Sequence, residues 1–321
     1  MSDLSNAVAT LMGPLLITIF FAVLLYGIFL AQVFYYWTTY EGNKLPIKLW
    51  ICVLCVLETT HTIICIHFIY HYFVLHYGDP VALKEIVWSI GASVSVEIVI
   101  VGFTQGFYVY RIWHISNKNR VITIILAIIV SMRVVISLFT SALTISFGTW
   151  VALQNSRLFR ITANIGWVLC GLADTTITLT LIYYLYRGRK VCIGRTQNML
   201  RKLAHYSITT GAVTLITSMV VLITFNLLKG NLLFGGLLEV LSKLYANSSL
   251  AMLNARRNVA STAANNEKIT LELSRIRWAS SPDTGTAADV VQIEKEATVF
   301  SDDVLGPHTL AITKDDASSL V

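Results

Sequence analysis

Charge is what this 321-residue chain has least of. Asp, Glu, Lys and Arg make up 13% of it, roughly half of the ~25% that soluble domains carry. That shortage excludes an ordinary soluble enzyme. With 55% hydrophobic residues the chain is not a disordered one either. Proline is scarce: Pro14, Pro46, Pro80, Pro282 and Pro307 are all there are, none deep within an apolar stretch. Transporters commonly build their substrate sites from broken helices, so alternating access loses weight. Five cysteines, four of them (Cys52, Cys55, Cys65 and Cys170) inside apolar runs, do not make a disulfide-stapled secreted module. No P-loop, nucleophile elbow, zinc-protease or dinucleotide signature occurs, so no cofactor and no catalytic residue is assigned.

What the chain does have is apolar length. A helix needs about 20 mostly apolar residues to cross a bilayer. Seven stretches qualify: about 13–39, 47–73, 86–113, 121–145, 160–186, 203–228 and 232–253. Aromatic residues crowd their ends, as in Phe34-Tyr35-Tyr36-Trp37 and Tyr183-Tyr184-Leu185-Tyr186, where rings favour the headgroup boundary. The fold expected is an all-α membrane protein, a seven-transmembrane helix bundle over residues 1–257. The first stretch lacks a basic leader and is too long for a signal peptide, so it reads as a retained helix. One set of loops holds 14 Lys and Arg, among them Arg111, Arg187, Arg189, Lys190 and Arg195, against four in the other set. Positive charge marks the cytoplasmic side, which puts the N-terminus outside and the C-terminus in the cytoplasm. Residues 1–257 carry 19 Lys and Arg against 8 Asp and Glu, a net of +11, while 258–321 carry 5 against 10, a net of −5. The second segment, rich in Ser, Thr, Ala and Asn, reads as a disordered acidic cytoplasmic tail. Ser301, before Asp302 and Asp303, is a candidate phosphorylation site there. Anionic lipid, not nucleic acid, is the counterpart expected for the basic part.

Away from the span ends, six Asp, Glu, Lys and Arg residues lie inside the expected spans: Glu58, Glu97, Arg133, Asp174, Glu239 and Lys243. Each costs roughly 2.5–3.5 kcal/mol at the bilayer centre. Together that is on the order of 15–20 kcal/mol, more than a typical fold's whole stability. They must therefore face inward and find partners. Glu58, Arg133, Asp174 and Lys243 all lie about 10–12 residues from the cytoplasmic ends, roughly 15–18 Å deep at 1.5 Å per residue. One shared polar layer follows, with Lys243 held by Asp174, Glu58 or both, and with His61 and Asn247 as further members. Glu58, His61, Thr62 and Cys65 fall at i, i+3, i+4 and i+7, a single helical stripe. Gly102 and Gly106 have the spacing that lets helices approach closely.

Several patterns have a dramatic reading and a plain one. Glu239 and Lys243 sit four apart, like an acid preceding a retinal-binding lysine, but the sixth span has no Trp or Pro to wall retinal. An intrahelical ion pair is the reading adopted. Glu58-x-x-His61 has the spacing of a bundle metal site, yet no second histidine cluster comes from a late helix, so no metal is assigned. His67 and His71 lie on another face. Cys52-x-x-Cys55 reads as two buried small hydrophobes, and Cys192 among basic residues as a candidate palmitoylation site. Asn247-Ser-Ser is a sequon placed mid-membrane, out of reach of glycosylation.

Glu58-Thr-Thr-His61-Thr62, Tyr77-Gly78-Asp79-Pro80, Ala173-Asp174-Thr175-Thr176-Ile177-Thr178, Tyr183-Tyr184-Leu185-Tyr186-Arg187 and the run from Leu241 to Ser248 resemble a family of uncharacterised seven-helix membrane proteins from basidiomycete fungi. The last three helices of that family form a domain of unknown function, which would fall near 168–257. The resemblance implies a topology and no activity. In outline the chain is also similar to G-protein-coupled receptors, but Tyr110-Arg111-Ile112 lacks an acid before the arginine. Span seven also lacks a proline motif. The function expected is a receptor-like sensor in the plasma membrane, taking a small or lipid-like ligand and a cytoplasmic signalling partner. The alternative is an intramembrane metal-dependent enzyme or proton-coupled carrier using Glu58, His61 and Asp174.

Overall fold

A computed structural model describes residues 2–39, 45–191, 195–228 and 232–254. Nearly all of them are helical: α1 (Ser2–Thr39), α2 (Leu45–Tyr70), α3 (Trp88–Ile115), α4 (Arg120–Phe147), the short α5 (Trp150–Asn155), α6 (Arg157–Val191), α7 (Arg195–Leu227) and α8 (233–254). No sheet forms among the described residues, only one bridge between Glu85 and Thr149. Six helices (α1, α2, α3, α4, α6 and α7) are long and apolar enough to cross a membrane. The chain is a membrane-embedded, multi-pass protein. α8 is not one of the six: Glu239, Ser242, Lys243, Asn247, Ser248 and Ser249 lower its hydropathy. The expected tail 258–321 with Ser301, the candidate Cys192 and the basic residues Arg256, Arg257 and Lys268 lie outside the described residues.

Local chemistry sets the ends of the helices. The α3–α4 turn reverses through Asn117 and Lys118, both in the left-handed region at φ 55° and 60°. Asn119 then caps α4, its side chain accepting from the Ile122 amide. Gly148, at φ 65°, ends α4, a conformation that costs a residue without Cβ little. Thr149 accepts from the Ala152 amide and starts α5. The sequence reading passed over α5, because six residues between two long apolar runs look like a loop. At the far end of α2 one π-helical turn, His71–Leu75, carries Tyr72, whose hydroxyl donates to the Glu85 carbonyl at 2.6 Å.

Burial separates inner helices from outer ones. Within their most apolar segments α3 is 50% buried and α4 only 11%. α1 exposes Phe20, Phe21, Leu24 and Phe34, an outer surface suited to lipid and a liability in water. Packing in lipid gains little from the hydrophobic effect and depends on close approach and polar contacts. Gly102 supplies such an approach, since a Cβ there would meet Val134 of α4 at 2.8 Å, whereas Gly106 has nothing within 4 Å. Gly211 of α7 against Thr178 of α6, and Gly236 of α8 against Thr18 of α1, are tighter and were not legible as spacing motifs.

Candidate functional site

The eight residues expected in the polar layer are all buried. Seven of them fall into three groups rather than one, and Asn247 stands apart. The first is built on the α2 stripe. Lys243 of α8 reaches across to Glu58, Nζ to Oε2 2.5 Å, and donates also to Thr62 Oγ1 at 2.9 Å and to the Glu58 carbonyl at 3.3 Å. His61 Nδ1 is 3.0 Å from the same ammonium, and Tyr26 of α1 places its ring 5.5 Å away. One turn along, Glu239 is held by three groups: Ser93 donates to Oε1 at 2.8 Å, Cys65 to Oε2 at 3.0 Å, and His61 Nε2 lies 2.8 Å from Oε2.

Two expectations change here. Glu239 and Lys243 do not pair within their helix. Each crosses to α2, because the stripe of Glu58, His61, Thr62 and Cys65 offers nearer partners to both. Asp174 takes no part in holding Lys243. It belongs to a second group on α3, α6 and α8, in which Gln105 donates to Oδ1 at 2.9 Å and the Tyr245 hydroxyl makes a short bond to Oδ2. Cys170 Sγ lies 3.5 Å from that hydroxyl. The three residues of the enzyme or carrier alternative are thus divided, Glu58 and His61 in one group and Asp174 in the other.

The third group is looser. Arg133 is 3% exposed, on a helix that otherwise faces outward. Leu126, Val130, Arg133, Ser141 and Thr144 form the one buried stripe of α4, so the guanidinium is turned in by its place in the helical repeat. Its Nη2 lies 3.9 Å from Glu97 Oε1 of α3, and Nε and Nη1 have no hydrogen-bond acceptor among the described residues. Both side chains line a cavity of about 90 Å³ between α3, α4, α5, α6 and α8, with Leu15 of α1 and Phe68 of α2 also on its wall, at the end of the bundle where α8 begins. Trp150, Phe159, Trp167 and Phe234 wall it. Phe225 of α7 braces the wall from behind, in edge contact with Trp167 at 4.6 Å and Phe234 at 5.2 Å.

Asn247 ties α8 to α1. Its amide donates to the Leu25 carbonyl at 2.9 Å and accepts from Gln32 at 2.9 Å. Of the basic residues assigned to a cytoplasmic partner or lipid, Arg187 is exposed and bonds back to Tyr183 at 3.4 Å. Arg111 is buried instead, its guanidinium against Met252 Sδ of α8. α8 passes beside that turn of α3, which the sequence alone did not reveal. Arg189 and Lys190 end α6 and Arg195 opens α7, with their side chains outside the described set. Cys52 is exposed and Cys55 half-buried, against the expectation of two buried residues. His67 lies against Trp88 in a tilted ring contact, centroids 5.1 Å apart, and pairs with Ser89 at 3.0 Å.

His61, Cys65 and Glu239 are all buried and bring three potential metal-ligand atoms within 4.8 Å of one another. They are engaged with each other, and the Lys243 ammonium beside His61 opposes a cation electrostatically. No other triad of that kind occurs among the described residues.

Residues 170–258 match a family of unknown function, DUF6534. The matched segment carries Cys170, Asp174, Glu239, Lys243 and Tyr245, so it spans α8's share of the first polar group and most of the second. No curated protein and no solved structure matches the chain.

Proposed function

We propose that the chain is a receptor-like seven-helix membrane protein that senses a small or lipid-like molecule. In this reading α8 is the seventh crossing, the N-terminus is outside and the C-terminus is in the cytoplasm. The plasma membrane is the favoured location. Residues 187–202 with the tail form the platform for a cytoplasmic partner, through Arg187, Arg189, Lys190 and Arg195. The observation that carries the reading is the aromatic-walled cavity running from one end of the bundle to a buried, incompletely paired arginine. Ligand sites in helix bundles have this make-up, mostly apolar walls with a few convergent polar groups. With the N-terminus outside, the cavity lies in the outer half and the basic platform in the inner one.

The alternative of an enzyme or carrier using Glu58, His61 and Asp174 has less support, since those side chains sit in separate groups with their own partners. A thermal-shift screen of diverse small molecules on the purified full chain tests the sensing reading. A fluorophore at Arg187 would report whether binding reaches the far end. At least one saturable ligand that also changes the Arg187 signal is expected. Saturable ligands that leave that signal unmoved, together with no partner captured by the 187–202 region, would contradict signalling.

A further inference from the structure

Arg133 carries five N–H donors, and its Nε and Nη1 meet no acceptor among the described residues although the residue is 3% exposed. A buried guanidinium so placed is costly unless something accepts from it. Its neighbour is equally incomplete. Glu97 Oε1 receives no hydrogen bond and faces Arg133 Nη2 only at 3.9 Å, beyond hydrogen-bond length. Donors without an acceptor and an acceptor without a donor thus lie side by side on the cavity wall. A single group that both accepts and donates completes the two together.

Charge narrows the class. Glu239, also on the cavity wall, already accepts from Ser93 and Cys65 and lies 2.8 Å from His61, and the open acceptor Glu97 Oε1 lies beside the Arg133 cation. An ammonium reaching Glu97 would be repelled by that guanidinium. A carboxylate would enter a layer that holds four acids, Glu58, Glu97, Asp174 and Glu239, against two bases, Arg133 and Lys243. An uncharged head avoids both conflicts. Volume narrows it again, because about 90 Å³ is far below the roughly 300–1,000 Å³ of drug-sized sites. The walls, among them Trp167, Phe234 and Leu153, call for an apolar body.

We propose that this cavity binds a compact, uncharged apolar alcohol, whose hydroxyl accepts from Arg133 and donates to Glu97 Oε1. The assignment rests on the sensing reading above, for which it names the ligand class.

The test uses four probes of one shape on the purified full chain in lipid nanodiscs: cyclohexanol, cyclohexanone, cyclohexylamine and cyclohexanecarboxylate. Melting temperature is read against concentration. Cyclohexanol should stabilise saturably, cyclohexanone at least several-fold more weakly because it cannot donate to Glu97, and the two charged probes not at all. Arg133→Met and Glu97→Leu should each weaken cyclohexanol by tenfold or more. If either variant fails to fold, Ala163→Leu fills the cavity from its apolar wall without touching the ion pair and should abolish binding. Preference for the amine or the carboxylate would overturn the alcohol assignment and leave the sensing reading standing. Equal stabilisation of wild type, Arg133→Met and Ala163→Leu would mean partition into lipid and would overturn it too. If none of the four probes binds saturably, the assignment falls, while the Arg187 fluorophore still judges the sensing reading independently.

Discussion

Two ion pairs share the interior of this bundle and differ in almost everything else. Around Lys243 the ammonium touches a carboxylate at 2.5 Å, a hydroxyl at 2.9 Å and an imidazole at 3.0 Å, with a ring face 5.5 Å away. Around Arg133 the nearest carboxylate oxygen is 3.9 Å away, two guanidinium nitrogens lack acceptors and a cavity begins. An ammonium coordinated on several sides holds helices together, even with Glu58 Oε1 beside it accepting no hydrogen bond among the described residues. One left partly uncoordinated gives up stability and leaves donors open to a further acceptor.

The comparison breaks most visibly at Lys243. Lys243→Met strands Glu58 without a counter-charge and should cost about 3–5 kcal/mol, read as loss of folded protein or a large drop in melting temperature. If Lys243→Met instead melts like wild type, the ammonium is not holding α8 to α2. Adding Glu58→Gln to that variant should recover a large part of the loss, because a neutral pair leaves no unpaired charge behind. The second group gives an intermediate effect. Tyr245→Phe removes one of the bonds to Asp174 while Gln105 remains, for an expected cost of about 1–2 kcal/mol in unfolding experiments. The smallest effect is expected at Arg133→Gln, under about 1 kcal/mol, since losing the 3.9 Å contact to Glu97 is offset by removing a buried guanidinium whose Nε and Nη1 meet no acceptor among the described residues. A collapse on the scale of Lys243→Met would erase the distinction between the two regions.

The sequence made some of this legible and concealed the rest, for identifiable reasons. Glu58, His61, Thr62 and Cys65 could be placed on one inward stripe because a 3.6-residue repeat fixes a helix face. A lysine that must be neutralised in lipid then pointed to that face. Of the two acids expected to hold Lys243, Glu58 does and Asp174 does not. Its bonds go to Gln105 and Tyr245, neutral residues that carry no charge signal and that occur throughout membrane helices. Glu239 and Lys243 misled because their i, i+4 spacing permits a bond within the helix, and only the neighbouring α2 shows a better offer across it. Arg111 misled because counting basic residues by loop says nothing of which way a side chain turns at a helix end. The cavity was out of reach altogether, since it depends on α5 and on the relative placement of seven helices.

A pair of double-mutant cycles bears most directly on the central claim. One combines Glu58→Gln with Lys243→Met and the other Glu97→Gln with Arg133→Met, all unfolded in the same detergent. A coupling of about 2–3 kcal/mol is expected in the first cycle and under about 0.5 kcal/mol in the second. Equal couplings, or a stronger one between Glu97 and Arg133, would contradict the account.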